Sequence, residues 1–223
     1  VSVNEALKHA SASIGKSVNI DWIDSETLNG NLKQLDDFDG VLVPGGFGTR
    51  GSEGIIDTAT YALEKNIPYL GICFGFQLAA IAFGRKLCNL ENANSTEIIA
   101  DTKNPIIDLL PEQKDETDMG GSLRLGANEI KINQDSLAYK IYNSDKISKR
   151  HRHRYEFNTK YRDEFLKKGM IFSGESDNGK RMEILEVPTH KFFLGVQFHP
   201  EFNSRPGFPE DVFKTFVTTA SQN

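Results

Sequence analysis

The sequence has few cysteines, no long apolar run and no excess of positive charge, and each shortage excludes a class of protein. Its 223 residues contain two cysteines, Cys73 and Cys88, too few for the disulfide framework of a small secreted protein. No apolar run approaches the ~20 residues of a membrane-spanning helix. Because 31 acidic residues outnumber 26 basic ones, generic nucleic-acid binding, which needs clustered cations, is not expected. We therefore expect a cytoplasmic protein without a nucleic-acid or membrane partner.

Metal-binding and phosphate-binding motifs are also missing. The sequence contains no Cys-x-x-Cys pair, no His-Glu-x-x-His motif and no acidic cluster with EF-hand spacing, so no metal site is predicted. The phosphate-binding pattern Gly-x-x-x-x-Gly-Lys-Ser/Thr is absent as well. With 38% hydrophobic and 26% charged residues, the composition is that of an ordinary globular domain.

In the first half of the chain, short apolar runs alternate with helical patterns. A capping box at Ser2–Glu5 predicts a helix that begins near residue 3. Further on, the patterns predict strands at 18–23, 39–43 and 68–72 and helices at 54–65 and 74–84. Because strands that alternate with helices are typical of parallel βαβ units, we predict an α/β fold with a doubly wound sheet.

The second half of the chain predicts strands with little helix between them. Residues 91–120 are polar and rich in turn formers, which indicates a long functional loop. The strands predicted next cover 122–125, 128–132, 153–157, 170–174, 181–187 and 192–198, and a last helix follows at 209–219. We predict one domain over 1–223, with a mostly parallel central sheet flanked by helices and additional mixed strands from the second half. The abrupt start at Val1 indicates a domain of a longer protein.

The sharpest local signal is Gly71-Ile72-Cys73-Phe74-Gly75, where a predicted strand is followed by a helix. In such a Gly-x-nucleophile-x-Gly elbow the nucleophile occupies a strained turn, and the glycines avoid clashes around it. The start of the following helix favours a thiolate, and the backbone N–H of Phe74 is well placed to bind an oxyanion. The alternative is a buried structural cysteine beside packing glycines, which is how we interpret Cys88.

A cysteine nucleophile needs a base, and His199 is the best placed of the five histidines. It follows the apolar run 192–198, where Pro200 stops the predicted strand. Glu201, two residues after the histidine, would hold the imidazole as the third member of a triad does. The alternative is an ordinary surface histidine at a strand end.

Two other segments each have a chemical and a plain interpretation. The loop Gly45-Gly46-Phe47-Gly48 follows a predicted strand and would either offer backbone amides to an anion or form an ordinary turn. The run Arg150-His151-Arg152-His153-Arg154 would either bind a carboxylate or phosphate or form a solvated cationic face. The sequence pattern alone leaves both choices open.

Together these segments resemble the class I (triad) glutamine amidotransferases. Residues 71–77 match the nucleophile motif of that family, Phe198–Glu201 match its His-Pro-Glu motif, and Pro44–Gly46 match its oxyanion loop. Within the class, the sequence is similar to the C-terminal glutaminase domain of CTP synthases over essentially all 223 residues. This likeness is carried by the stretches Pro44–Gly51, Asn94–Glu97, Met119–Gly126, Arg150–Glu156, Gly195–Phe202 and Ser204–Pro206.

The resemblance implies a catalytic reaction and the residues that perform it. Cys73, His199 and Glu201 would form a triad that hydrolyses L-glutamine to glutamate and ammonia through a glutamyl thioester. The backbone amides of Gly46 and Phe74 would bind the oxyanion, and loss of one such donor typically costs about 2.7–4 kcal/mol.

The resemblance also implies substrate and effector contacts. Gln77, Glu97 and Arg154 match positions that bind glutamine: Glu97 suits the α-ammonium, and the Arg154 guanidinium fork suits the α-carboxylate. Arg50 and the stretch Met119–Gly126 resemble the region of the allosteric GTP response and the lid.

The resemblance further implies partners outside this sequence. In the whole enzyme an N-terminal synthase (amidoligase) domain uses ATP and Mg²⁺ to aminate UTP to CTP, GTP activates, and the subunits form tetramers. Nothing in this sequence would bind ATP or UTP in that way, so we expect no cofactor in this domain and glutaminase chemistry only. The sequence departs from the family at Phe74 and Phe76, where Leu and Met are usual, and at Ile55, where Lys is usual.

Alternatives of three kinds remain. The amidotransferase of another biosynthetic enzyme, or a γ-glutamyl hydrolase, shares the triad motifs but not the stretches at 94–97, 119–126 and 150–156. A docking module whose elbow is not assembled would carry the same motifs without activity. A flavodoxin-like binding module with a structural cysteine leaves the His-Pro-Glu motif unexplained.

Overall fold

A seven-stranded mixed sheet forms the centre of the molecule, and a three-stranded sheet accompanies it. The computed structural model describes residues 1–28, 30–109 and 123–222. The strands there are β1 (Val41–Val43), β2 (Tyr69–Ile72), β3 (Ala93–Ser95), β4 (Asn104–Asp108), β5 (Arg124–Ile132), β6 (Lys146–His153), β7 (Glu156–Phe157), β8 (Ile171–Ser176), β9 (Arg181–Glu186) and β10 (Phe193–Val196). The large sheet has the order β1-β2-β10-β9-β8-β5-β6, and the small sheet has the order β3-β4-β7.

Helices cover both faces of the large sheet. The α-helices of the described ranges are α1 (Ser2–Ser13), α2 (Ser52–Lys65), α3 (Phe74–Lys86), α4 (Leu137–Tyr142), α5 (Arg162–Lys167) and α6 (Asp211–Ala220). Side chains of α2 and α3 belong to one hydrophobic cluster, and those of α1 and α6 to another. Along β2, Tyr69 belongs to the first cluster and Leu70 to the second, because successive side chains in a strand point to opposite faces. None of the described helices is long and apolar enough to span a bilayer.

The parallel strands β1, β2 and β10 are the part of the sheet that positions the site. Val43 pairs with Gly71, and Val196 pairs with Ile72, so the carboxyl ends of all three strands lie at one edge. Strands β9, β8, β5 and β6 extend the sheet with antiparallel pairings. The predicted α/β class, with helices on both faces and mixed strands from the second half, is confirmed. The large sheet is not mostly parallel as predicted, because only two of its six strand pairings in the described ranges are parallel and four are antiparallel.

Two predictions for the first part of the chain are wrong. The capping box does not form: α1 begins at Ser2 without a side-chain cap, and the Glu5 carboxylate pairs with Lys8 instead. Residues 18–23 form no strand. Two cavities of about 440 and 340 Å³ are lined both by this segment and by β1, whose pairing in the sheet is with β2.

In the second half, strand pairing corrects several boundaries. The predicted loop at 91–120 contains β3 and β4, and its residues 110–120 lie outside the described ranges. The strands predicted at 122–125 and 128–132 are one strand, β5, whereas residue 122 lies outside the described part. The basic run at 150–154 lies mostly in β6, whose whole length pairs with β5. Sequence patterns did not predict α4 and α5, which have only six residues each.

Helix α3 approaches β1 so closely that only glycine fits at position 75. A Cβ on Gly75 would lie 2.4 Å from the carbonyl oxygen of Val43, a backbone atom that cannot rotate away. In the same helix, a Cβ on Gly84 would meet only side-chain tips, the nearest being Phe165 at 3.3 Å. A Cβ at position 75 would therefore clash with backbone, whereas a Cβ at position 84 would contact only side-chain atoms.

We predict that Gly75→Ala destabilises the fold and that Gly84→Ala does not. Overpacking against a fixed neighbour typically costs about 1–3 kcal/mol, whereas flexible side-chain tips can shift. Urea unfolding followed by circular dichroism would measure both variants, and the free energy of unfolding of Gly75→Ala should be the lower by that amount, with a correspondingly lower midpoint. Equal midpoints for the two variants would contradict the close approach.

Candidate active site

Cys73 occupies a strained turn between β2 and α3. Its backbone has φ 51° and ψ −97°, in a region that costs a non-glycine residue about 1–3 kcal/mol. Its N–H donates to the carbonyl of Val196 at 2.7 Å, which continues the β2–β10 pairing one residue past β2. A Cβ on Gly71 would lie 2.6 Å from the backbone of Gly75, so the glycines of the motif are sterically required. The predicted nucleophile elbow is present.

His199 and Glu201 lie in the segment that follows the neighbouring strand, β10, and His199 is the one beside Cys73. The Nδ1 atom of His199 lies 2.8 Å from Oε1 of Glu201, and the imidazole is close enough to the Cys73 thiol for the thiol to influence the pKa of the ring. The ring of Phe202 stacks on the imidazole, with centroids 5.6 Å apart. The structure thus brings together the three side chains that the sequence suggested as a triad.

The surroundings of His199 favour its charged form. Burial lowers the pKa of His199, but the hydrogen bonds and negative charges of Cys73 and Glu201 outweigh this effect and raise the pKa to about 10. An imidazolium is therefore expected at neutral pH. In this state its ring can donate two hydrogen bonds, one to each neighbour.

The loop after β1 lies directly beside Cys73 and His199. A Cβ on Gly45 would stand 2.8 Å from Cε1 of His199 and 3.6 Å from Cβ of Cys73. The next residue, Gly46, lies against Phe74, whose ring would be 3.4 Å from a Cβ there. The two segments predicted to supply oxyanion donors are therefore neighbours, and the loop is part of the site.

Glu97 and Arg154 lie on another side of this loop. The backbone N–H of Gly48 donates to Oε1 of Glu97 at 3.0 Å. Burial raises the pKa of Glu97, and the Gly48 N–H and the positive charge of Arg154 counteract this shift. Glu97 thus lies at the turn of residues 45–48 within electrostatic range of Arg154, and the two supply opposite charges as a zwitterionic ligand would require.

Gln77 has a buried side chain with fixed hydrogen bonds. Its Nε2 donates to the carbonyl of Tyr155 at 2.8 Å and to Oε1 of Gln197 at 3.3 Å. These contacts orient the amide from below the elbow. A direct contact with substrate through the Gln77 carbonyl oxygen stays a prediction.

Three groups that contact Cys73 or His199 were not identified from the sequence. Nε2 of Gln197 lies 3.7 Å from the Cys73 sulfur, and the carbonyl of Arg152 lies 3.9 Å from it. The carbonyl of Arg150 accepts a hydrogen bond from the backbone N–H of His199 at 2.9 Å. Backbone carbonyls have no signature in residue type, whereas Gln197 was visible as a polar residue inside an apolar strand.

The remaining sequence candidates lie away from these atoms. Arg50 pairs with Glu26, and Ile55 packs at the edge of the hydrophobic core instead of carrying a charge. Burial raises the pKa of the Cys88 thiol to about 11, consistent with a structural cysteine. Of the stretch Met119–Gly126, residues 119–122 lie outside the described ranges.

One set of side chains has the composition of a metal site. Ligand atoms of His151, His153 and Glu183 lie within 4.8 Å of one another, and all three residues are buried. Arg124 already pairs with Glu183, and its positive charge adds to the burial that lowers the pKa of both histidines. Arg124 balances the charge of Glu183, and the two histidines are neutral and hydrogen-bonded to each other, so the cluster is satisfied without a further cation.

Comparisons with known proteins agree with this geometry. The family model "Glutamine amidotransferase class-I" matches residues 1–219. The chain is 52% identical over 224 aligned residues to a CTP synthase of Archaeoglobus fulgidus and 50% identical to one of Staphylococcus carnosus. The alignments cover 99% and 100% of this chain but 41% and 42% of those proteins, so the chain spans about two fifths of their length.

A solved structure supports the same assignment. The glutaminase domain of Trypanosoma brucei CTPS, with bound acivicin, superposes with a TM-score of 0.94 at 35% identity. The match covers 100% of this chain and 88% of that one. The chain belongs to the class I glutamine amidotransferase family, and within it to the glutaminase domains of CTP synthases.

Proposed function

We propose that this domain hydrolyses L-glutamine with Cys73 as nucleophile, His199 as acid and base, and Glu201 as the group that orients the imidazole. The observation that carries the proposal is the strained elbow of Cys73 beside the imidazole of His199, which in turn lies 2.8 Å from Oε1 of Glu201. A nucleophile on a sharp turn, joined to a base that a carboxylate holds, is the arrangement of acyl-transfer enzymes.

The proposed reaction has two halves. The Cys73 thiolate attacks the side-chain carbonyl carbon of glutamine, and the amides of Gly46 and Phe74 bind the resulting oxyanion. His199 gives its proton to the nitrogen, the C–N bond breaks, and ammonia leaves a glutamyl thioester. Neutral His199 then takes a proton from water, whose oxygen attacks the thioester. Glutamate departs, and the thiolate and imidazolium are restored.

Substrate orientation is assigned to the charged pair beside the loop. Glu97 would bind the α-ammonium of glutamine, and Arg154 would bind its α-carboxylate through two parallel hydrogen bonds. The positive charge of Arg154 already acts on Glu97, since it counteracts the rise in the pKa of that carboxyl group. A zwitterion between them would satisfy both charges.

We further propose that the ammonia serves a separate synthase domain, which aminates UTP to CTP with ATP and Mg²⁺ and responds to GTP. The relatives named CTP synthase support this, since this chain spans about two fifths of their length. The chain itself lacks the Gly-x-x-x-x-Gly-Lys-Ser/Thr pattern, so ATP and Mg²⁺ are assigned to the other domain.

The nucleophile can be tested by affinity labelling. A glutamine-mimicking diazo-ketone should add once, on Cys73, and excess glutamine should block the reaction. Intact mass and peptide mapping would locate the adduct. Cys88 is the internal control, because its raised thiol pKa keeps it unreactive. Labelling of Cys88, or labelling that glutamine does not block, would contradict the proposal.

Arg154→Ala should raise KM for glutamine much more than it lowers kcat. Loss of a hydrogen bond to a charged group costs about 1.5–3 kcal/mol, which corresponds to a KM increase of about ten- to a hundredfold. Arg162→Ala is the matched control, because this arginine pairs with Glu175 on another part of the surface. An unchanged KM in Arg154→Ala would remove Arg154 from the substrate site.

The charge on His199 predicts a pH dependence. Folding raises the pKa of His199 from its ordinary ~6.5 to about 10, so the stabilisation from this proton is complete below pH ~6.5 and is lost as the pH rises through about 10. An NMR titration should show His199 protonated at neutral pH, and Cys73→Ala should lower its pKa. His190, whose pKa is lowered by burial, is the internal control. Titration of His199 at its ordinary value in both proteins would contradict the prediction.

A further inference from the structure

Behind the triad lies a buried pair of histidines that the proposed reaction does not use. His151 and His153 point inward from β6, with side chains 0% and 3% exposed. Nδ1 of His151 lies 3.0 Å from Nε2 of His153, and Nδ1 of His153 lies 3.2 Å from the carbonyl of Tyr155. The His151 ring also packs edge-on against Phe198, the residue before His199.

These contacts determine where each proton lies. A carbonyl only accepts, so Nδ1 of His153 carries a proton and donates to Tyr155. Burial lowers the pKa of His153 well below its ordinary value, so the ring is neutral and its Nε2 is an acceptor. Nδ1 of His151 must therefore donate to it. Nε2 of His151 then carries only a lone pair, and it has no hydrogen-bond partner among the described residues.

The charged groups around the pair hold it in this neutral state. Arg124 of β5 pairs with Glu183 of β9, and Ser176 of β8 bridges the two. Burial, followed by the charges of Arg124, His199 and Arg181, lowers the pKa of His151 to about 3. Glu183 lies 3.8 Å from Nδ1 of His151, beyond hydrogen-bond distance. The direction of the chain from His151 to Tyr155 is thus fixed over the working pH range.

The strand that carries this pair also touches the triad. The carbonyl of Arg150 accepts a hydrogen bond from the backbone N–H of His199, and the carbonyl of Arg152 lies 3.9 Å from the Cys73 sulfur. These two residues alternate with His151 and His153 along β6. β6 is the outer strand of the large sheet and pairs only with β5 there, so its other edge has no strand to fix it. Pairing with β5 holds one edge of β6, and the side-chain hydrogen bonds of His151 and His153 add to this where the strand ends.

We propose that His151 and His153 are positioning residues for the triad: their one-way hydrogen-bond chain to Tyr155 fixes the end of β6, and so the carbonyls that contact His199 and Cys73. The proposal rests on the proposed glutaminase function for its kinetic consequence. A displacement of about 1 Å at such contacts can cost a hundredfold in rate.

Two substitutions at one position separate hydrogen bonding from packing. His151→Asn keeps a donor at the place of Nδ1 and removes only the part of the ring with Nε2, which has no partner. His151→Leu keeps more of the volume and removes the donor. His151→Gln, which is polar but places its amide too far out, should behave like the Leu variant and replaces it if Leu prevents folding.

The readout is the rate of Cys73 alkylation by iodoacetamide over a pH series, which needs no glutamine and so stands even if the glutaminase proposal fails. We expect His151→Leu to slow alkylation and to lower kcat, each by at least about tenfold, with KM nearly unchanged. His151→Asn should stay within a few-fold of the unsubstituted protein. Urea midpoints would show that both variants are folded.

Either of two outcomes would overturn the proposal. If His151→Asn is slowed as much as His151→Leu, the imidazole acts by filling space. If both variants alkylate at the normal rate with the normal pH profile, and differ only in urea midpoint, the pair is structural and does not position the triad.

Discussion

The parallel pairing of β2 with β10 is the constraint on which the rest of the site depends. Because Val196 pairs with Ile72, the residues just beyond the two strands come together at one edge of the sheet. Cys73 donates its N–H to Val196, so the same ladder that aligns the strands also holds the strained elbow. A shift of one residue would point each side chain to the opposite face. The cost of the positive φ at Cys73 is thus offset by a buried, continuous ladder.

Local electrostatics then give chemically identical side chains opposite states. His199 lies between a thiol and a carboxylate, and its pKa rises to about 10 despite burial. His151 is buried near arginines and the His199 charge, and its pKa falls to about 3. One histidine therefore favours its charged form, whereas the other is neutral and has one fixed direction of donation. Each state follows from the neighbours of that ring, and the charge of His199 is itself one of the causes that lower the pKa of His151.

The sequence predicted what is encoded locally. The elbow around Cys73 and the His199–Glu201 pair lie within short motifs whose chemistry is visible in residue types, and the fully buried strands are visible as apolar runs. Contacts made by backbone atoms, such as the carbonyl of Arg152 beside Cys73, carry no such signal. The alternating pattern at 18–23 fits a strand but lacks a partner, because pairing depends on distant residues that periodicity does not describe.

The curvature of the sheet explains how its far end takes part in the site. β6 lies four strands away from β10, a separation of about 19 Å in a flat sheet with ~4.8 Å spacing. Yet the carbonyl of Arg150 on β6 accepts the N–H of His199, just after β10, at 2.9 Å. The sheet must therefore curl until its outer strand returns to the parallel edge, in the sense that strand twist allows. The outer edge of β6 is covered by the triad segment and not by another strand. The side chains of the proposed triad thus follow strands of the parallel half of the sheet, and the antiparallel half approaches them with backbone carbonyls.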